Sequence, residues 1–434
     1  MPAKPRDVGT PVPMLVRRAQ PSEGQEVDEH PRGHPGSAPA SSTGLSLFGL
    51  AASVFAAVTT EMLPIGLLPE IGASLGRSEA QTGLLVGLYA AMVAVLSVPL
   101  AAATRRVPRK RLLMAAIGCY ALSNLVCAVA PDFTLLAAGR VIGGATHALF
   151  FAVAIGYGAR LVPPSQTGRA LALALVSAGV SVGFVAGVPL ATALGNAAGW
   201  RASFWALFGV LLLVLTLLAK VLPDLPVTGE ATGVPRGRRR DLATVVTSNS
   251  VAFIGHFALY TYVSALLLQA GAAPNAVALG LLVFGAAGLA GVLVGGPWLD
   301  RSPRGSALVI LGLVAAGVLV VAVGYPSLGW VVVAGVVWNG AWGPVPSLYQ
   351  VAAVRTRATS PELAGAWINA TSNIGIAGGA LLGGRALEAA GIEASAWVAL
   401  TLLVVATGIV AGARRAFPGK GSPVATPAAQ RVCG

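Results

Sequence analysis

Charge is scarce in this sequence. Asp, Glu, Lys and Arg make up 10% of its 434 residues, against 55% apolar residues. An ordinary soluble domain carries about 25% charge, and a soluble chain of this length would be about three domains, each with a surface to cover. A mean hydropathy of +0.77 excludes that arrangement and excludes general disorder as well. Cysteine is scarcer still, with three residues. Cys119 and Cys127 lie about 12 Å apart along one helical segment, too far for a disulfide, and Cys433 sits in a tail. No Cys/His metal spacing is present, so no metal is expected. A P-loop and a Gly-x-Gly-x-x-Gly loop are both missing, so neither a nucleotide energy source nor a cofactor is expected. Residues 1–43 hold Pro, Gly, Ser and ten charges without an apolar core; they read as a disordered tail rather than a cleavable signal. What remains is a polytopic membrane protein.

Apolar runs are what the sequence has most of. Twelve recur, at about 45–67, 82–103, 112–130, 134–157, 170–194, 204–222, 251–270, 277–299, 307–324, 329–351, 363–384 and 396–412. Each is long enough, at about 1.5 Å per residue, to cross a hydrocarbon core of about 30 Å. Only helices or closed barrels satisfy their backbone in lipid, and barrel strands would be about 10 residues with alternation. The expectation is an all-α integral membrane fold of twelve spans in two six-helix bundles. The domain limits follow as a tail at 1–43, a first bundle at 44–222, a linker at 223–241, a second bundle at 242–413 and a tail at 414–434.

A net charge of +13 would suit a nucleic-acid binder, but its distribution excludes one. All but four of the 29 Lys and Arg residues fall in the tails and in alternate connectors, on one side of the spans. The exceptions are Arg77, Arg201, Arg385 and Arg140. The positive-inside rule then places both termini and the Arg236–Arg240 connector in the cytoplasm. The two halves also resemble each other. At an offset of 192, Ala197-Ala198-Gly199-Trp200-Arg201-Ala202-Ser203 meets Ala389-Ala390-Gly391-Ile392-Glu393-Ala394-Ser395, and Gly183 and Gly187 meet Gly375 and Gly379. A parallel repeat of this kind puts a substrate site near the bilayer midplane, between the halves.

Against so apolar a background, single polar residues stand out. Glu61 is the only acid well inside a run. A charge at the bilayer centre costs about 2.5–3.5 kcal/mol on insertion scales and marks a functional site by default. Removal from water favours its neutral form, which suits a carboxyl that gains and loses a proton; snorkelling to a helix end is the structural alternative. Arg140 shares a helical face with Gly143, Gly144 and His147. It cannot release its proton, but it can tune a carboxyl or imidazole that does, or simply bond backbone carbonyls. His147 titrates near neutral pH when unperturbed; a packed core histidine is the alternative. His256 and Tyr260, Trp338, Asn339 and Trp342, and Asn369 and Asn373 offer aromatic walls with a few amides, as a moderately apolar ligand needs. Interfacial Trp and interhelical Asn bonds are their alternative. Gly179, Gly183 and Gly187, followed by Pro189, form a smooth helix face. The match of Gly179-Val180-Ser181-Val182-Gly183 to a nucleophile elbow lies within a helix, where no elbow can form.

These residues make the chain similar to the major facilitator superfamily, and within it to twelve-helix drug:proton antiporters of the bacterial chloramphenicol and arabinose-efflux type. Asp300-Arg301-Ser302-Pro303-Arg304, after Gly296, resembles the superfamily's basic loop Gly-x-x-x-Asp-Arg-x-x-Arg. Thr104-Arg105-Arg106-Val107-Pro108-Arg109 resembles its first-half copy, with Thr104 where the family has Asp. Arg140-x-x-Gly143-Gly144 resembles a fourth-helix signature linked to proton coupling. Gly179 to Pro189 resembles the antiporter signature of the fifth helix, and Thr59-Thr60-Glu61-Met62-Leu63-Pro64 with Leu161 to Arg169 resembles the drug exporters.

The resemblance implies a proton-coupled exporter of small apolar or amphipathic molecules, working by alternating access as a monomer in the bacterial inner membrane. Its partners would be substrate, protons and lipid, with no nucleic acid, and no enzymatic activity is implied. Arg105, Arg109, Asp300, Arg301 and Arg304 would form the gating loops. An importer or uniporter of a neutral sugar or other small nutrient on the same fold is the alternative.

Overall fold

A computed structural model describes residues 40–104, 107–158, 161, 178–224, 238–301 and 303–417. Residues 1–39 of the expected tail at 1–43, most of the linker, the end of the C-terminal tail and Arg105 lie outside these residues. So do the side chains of Asp300 and Arg301. The first helix begins at Ala40, inside that expected tail.

The described chain is helical almost throughout. The first half holds α1 (Ala40–Leu75), α2 (Glu79–Ala103), α3 (Arg109–Val129) and α4 (Phe133–Gly158), then a span from residue 178 that passes through a π-helical turn, Gly183–Gly187, into α5 (Val188–Ala198), and α6 (Trp200–Val221). The second half holds α7 (Arg239–Tyr260), α8 (Val263–Gln269), α9 (Pro274–Arg301), α10 (Pro303–Gly324), α11 (Leu328–Trp342), α12 (Val345–Arg355), α13 (Pro361–Ala390) and α14 (Ile392–Gly412). Pairs α7/α8 and α11/α12 each make one span, which gives twelve spans among the described residues and puts the start of α1 and the end of α14 at the same end of the bundle. The other end is called the distal end. Eleven of the spans are apolar enough along their length to be membrane-crossing on composition alone. The twelfth, α13, carries Asn369, Thr371, Ser372 and Asn373; its 30 residues still reach about 45 Å.

Several boundaries differ from those expected from the apolar runs. α1 continues past Leu67 to Leu75 although Pro64 and Pro69 lie inside it; neighbouring helices supply the hydrogen bonds that the prolines remove. The seventh run breaks at Thr261–Tyr262 and the tenth at Gly343–Pro344. α7 begins at Arg239, inside the expected connector. Elsewhere local chemistry sets the ends. Ser78 opens α2 with a capping box to Gln81, which satisfies two orphan donors, and Ser360 caps α13 ahead of Pro361.

The internal repeat extends to individual bonds. Gly199 and Gly391 adopt φ of 84° and 83° between paired helices, a conformation that glycine reaches at least cost. Ser203 Oγ donates to the Ala191 carbonyl at 2.6 Å, and Ser395 Oγ donates to the Gly383 carbonyl at 2.8 Å. Each donor and each acceptor sits at the offset read from the sequence. The halves meet along α2 with α13, α9 with the fifth span, and α1 with α8.

Candidate functional site

The first-half site begins with a missing hydrogen bond. Pro64 has no N–H, so the Thr60 carbonyl one turn earlier in α1 has no partner within the helix. Arg140 of α4 supplies it. Its Nη1 donates to the Thr60 carbonyl at 2.5 Å, Nη2 to the Glu61 carbonyl at 2.7 Å and Nε to the Leu85 carbonyl of α2 at 3.3 Å. The guanidinium also lies 4.3 Å from the centre of the Tyr89 ring. Arg140 is fully buried, and the planar fork suits this multiple attachment in a way a lysine point charge would not. Its grip is on the Glu61 backbone rather than on the carboxylate.

The Glu61 carboxylate is turned the other way. It is buried in the middle of α1, with 8% of the residue exposed, so it does not snorkel to an end. His147 of α4 places Nδ1 3.7 Å from its Oε2. That nitrogen is also 2.9 Å from the Tyr89 hydroxyl, which lies 3.2 Å from the Tyr120 hydroxyl of α3. Asn124, one turn on from Tyr120, donates to Thr60 Oγ1 at 3.0 Å. Phe151 stacks on the imidazole at 4.5 Å. Glu61, Arg140 and His147 are therefore brought together, and four helices contribute to the cluster. Tyr89, Tyr120 and Asn124 were not singled out from the sequence. Each is one polar residue in an apolar run, and only the fold shows that they face one another.

The second-half site is neutral. Trp338 Nε1 donates to His256 Nδ1 at 2.9 Å. An indole nitrogen only donates, so Nδ1 accepts and a neutral His256 carries its hydrogen on Nε2. The imidazole stacks on Trp342 at 3.7 Å and 6°, with Tyr260 on it at 4.9 Å and 25°. Phe253 meets Trp342 edge-on at 4.9 Å. His256, Tyr260, Trp338 and Trp342 thus form one aromatic group. Asn339 stands apart, bonding the Gly335 carbonyl of its own helix at 2.9 Å. Asn369 and Asn373 lie on α13: Asn369 donates to Ser97 of α2 at 3.3 Å and Asn373 to the Asn369 carbonyl at 2.9 Å. They belong to the seam between halves rather than to the aromatic group.

The glycine face of the fifth span lies on α1. A Cβ at Gly179 would come 2.4 Å from the Ala51 carbonyl, at Gly183 3.0 Å from Val58, and at Gly187 2.1 Å from Thr59 Oγ1. Pro189 follows the π-helical turn directly, inside the continuous fifth span, so its missing N–H leaves a carbonyl of that turn without its usual helical donor. Among the gating residues, Arg304 donates to the Ala411 carbonyl, and Arg109 begins α3. Thr104, in place of the family's Asp, turns its hydroxyl onto the Leu100 carbonyl of its own helix at 2.7 Å. No group of His, Cys, Asp and Glu that could hold a metal occurs among the described residues.

With this geometry in place, residues 50–365 match the family model described as Major Facilitator Superfamily. The chain belongs to that superfamily. It is a multi-pass membrane transporter and not an enzyme. It is similar to two proteins of Mycobacterium tuberculosis named as chloramphenicol efflux pumps. The one from strain CDC 1551 / Oshkosh is 35% identical over 369 residues, covering 81% of this chain and 87% of that protein. The one from strain H37Rv is 35% identical over 367 residues, with the same coverage. Two solved structures share the fold. A bacterial homologue of the human lysosomal transporter Spinster, crystallised inward-facing and unoccupied, superposes with a TM-score of 0.67 at 18% identity, covering 88% of this transporter and 98% of that chain. The human organic anion transporter MFSD10 (TETRAN) gives 0.61 at 17% identity, with 85% and 98% covered.

Proposed function

We propose that this transporter exports small apolar or amphipathic organic molecules in exchange for protons. Chloramphenicol, which the names of its relatives carry, is the first substrate to test. The observation behind the reading is the Glu61–His147 contact of 3.7 Å, buried among polar residues inside a largely apolar bundle. A carboxyl and an imidazole this close feel each other's charge, so protonation of one alters the proton affinity of the other. Arg140 cannot lose its proton and keeps α1 and α4 in register while the pair changes charge. Alternating access would expose the pair to each side of the membrane in turn.

The aromatic group of the second half supplies the substrate surface in this reading. Trp342 and Tyr260 offer ring faces, and His256, stacked between them, offers one donor at Nε2. Such a wall accepts a ring-bearing, weakly polar molecule and offers little to a sugar, whose hydroxyls need several partners. In this reading the protein sits in a bacterial inner membrane with the termini and linker on the cytoplasmic side, which the basic connectors support, and one chain suffices for transport.

The test is chloramphenicol accumulation in cells expressing the protein. Wild-type cells should hold several-fold less drug than controls, a proton uncoupler should abolish the difference, and Glu61→Gln should behave like the control at equal membrane abundance. Undiminished efflux by Glu61→Gln would end the coupling role.

A further inference from the structure

The second proline of α1 repeats the logic of the first, and its partner lies in the other half of the molecule. Pro69 has no N–H, so the Ile65 carbonyl is left without an in-helix partner. Buried backbone carbonyls find partners from neighbouring helices or side chains. Here the partner is Ser264 of α8, whose hydroxyl donates to the Ile65 carbonyl. Ser264 is fully buried. Pro64 thus ties α1 to α4 within its own half, while Pro69 ties α1 to the opposite half.

The surroundings make this a contact of one conformational state. Distal bonds join the halves nearby: Ser78 Oγ donates to Glu388 at 2.8 Å, Gln269 Nε2 to Glu79 at 3.2 Å, and Asn196 Nδ2 to the Pro274 carbonyl at 2.8 Å. Those three lie on exposed side chains, where a hydrogen bond competes with water on equal terms. The Ser264 bond is the buried one. When the distal end opens, Ile65 and Ser264 must part, whereas the Arg140 bonds within the first half need not change.

We propose that Ser264 is a positioning residue which holds the distal end closed through the carbonyl that Pro69 leaves free. The pair sets the balance between the two access states. This rests on the alternating-access reading above. It differs from the Glu61 site in position and in chemistry, because no proton is gained or lost.

A double-mutant cycle tests it. Nitroxide labels go on Ala73→Cys and Ala389→Cys, exposed distal positions in opposite halves, with Cys119, Cys127 and Cys433 replaced by serine. Distances are read by electron paramagnetic resonance on the full chain. Ser264→Ala should raise the ratio of separated to close label pairs about five-fold, the value of one net hydrogen bond. Ser264→Thr, which keeps the hydroxyl, should stay close to the unsubstituted chain. Pro69→Ala restores the missing N–H and lets Ile65 pair within α1. In that background Ser264→Ala should change the ratio by less than about 1.5-fold, as expected when the partner group is gone. An unchanged ratio in Ser264→Ala, or the same shift with and without Pro69, would overturn the proposal. The cycle needs neither drug nor proton gradient, so its failure is distinct from loss of the exporter reading, which the Glu61→Gln efflux assay decides.

Discussion

Equivalent helices of the two halves carry opposite chemistry. In the first half α1 and α4 enclose Glu61, His147 and Arg140, with the hydroxyls of Tyr89 and Tyr120 beside them. In the second, α7 and α11 enclose His256, Trp338 and Trp342, with Tyr260 stacked alongside. The packing beneath is shared. A Cβ on Gly143 of α4 would come 2.9 Å from the Tyr89 ring of α2, and one on Gly335 of α11 would come 2.3 Å from the Phe284 ring of α9. Glycines at equivalent positions thus approach a tyrosine ring on one side and a bare phenyl on the other, although the two rings themselves sit at different positions of the repeat. The difference teaches that the repeat preserves how helices approach, while the groups between them are free to diverge. In the proposed function, one half handles the proton and the other the substrate.

That division can be broken in steps. The largest effect is expected from Arg140→Leu. It leaves the Thr60 carbonyl buried without a donor, at a cost of about 1–3 kcal/mol, and removes the tie that orients Glu61. Transport should be lost, and thermal stability in detergent should fall. Arg140→Lys should rescue little, because an ammonium cannot make the forked contact. Trp342→Ala comes next. It uncovers one face of His256 and should raise the half-saturating substrate concentration about ten-fold while proton-gradient dependence persists; loss of that dependence would mean the halves do not divide the work. The smallest effect is expected from Asn339→Ala. Among the described residues its amide serves only the Gly335 carbonyl of its own helix, so efflux within about two-fold of wild type is predicted from a susceptibility assay.

Much of this was legible in the sequence, for identifiable reasons. Twelve apolar runs and the pairing of Ser203 with Ser395 follow from composition and offset, which survive without knowledge of contacts. Glu61 and Arg140 stood out because lipid makes a charge conspicuous. The partners of Arg140 were harder to see. Backbone carbonyls have no sequence signature, yet Pro64 and Pro69 carried one: each proline marks the residue four before it as an acceptor in search of a donor. Tyr89, Tyr120 and Asn124 had no such mark. A tyrosine in an apolar run looks the same whether it packs on lipid or bonds a histidine. The aromatic group of the second half was only partly separable from Asn339, Asn369 and Asn373, because helical spacing fixes which residues share a face but not which helix covers that face.

The most direct measurement compares driven and undriven transport by Glu61→Gln in proteoliposomes. With an imposed pH gradient, radiolabelled chloramphenicol should accumulate through the wild-type protein and not through the variant. Without a gradient, exchange of internal for external drug should persist in the variant, because the substrate wall around His256 and Trp342 is untouched. Gradient-driven accumulation by Glu61→Gln at the wild-type rate would contradict the account.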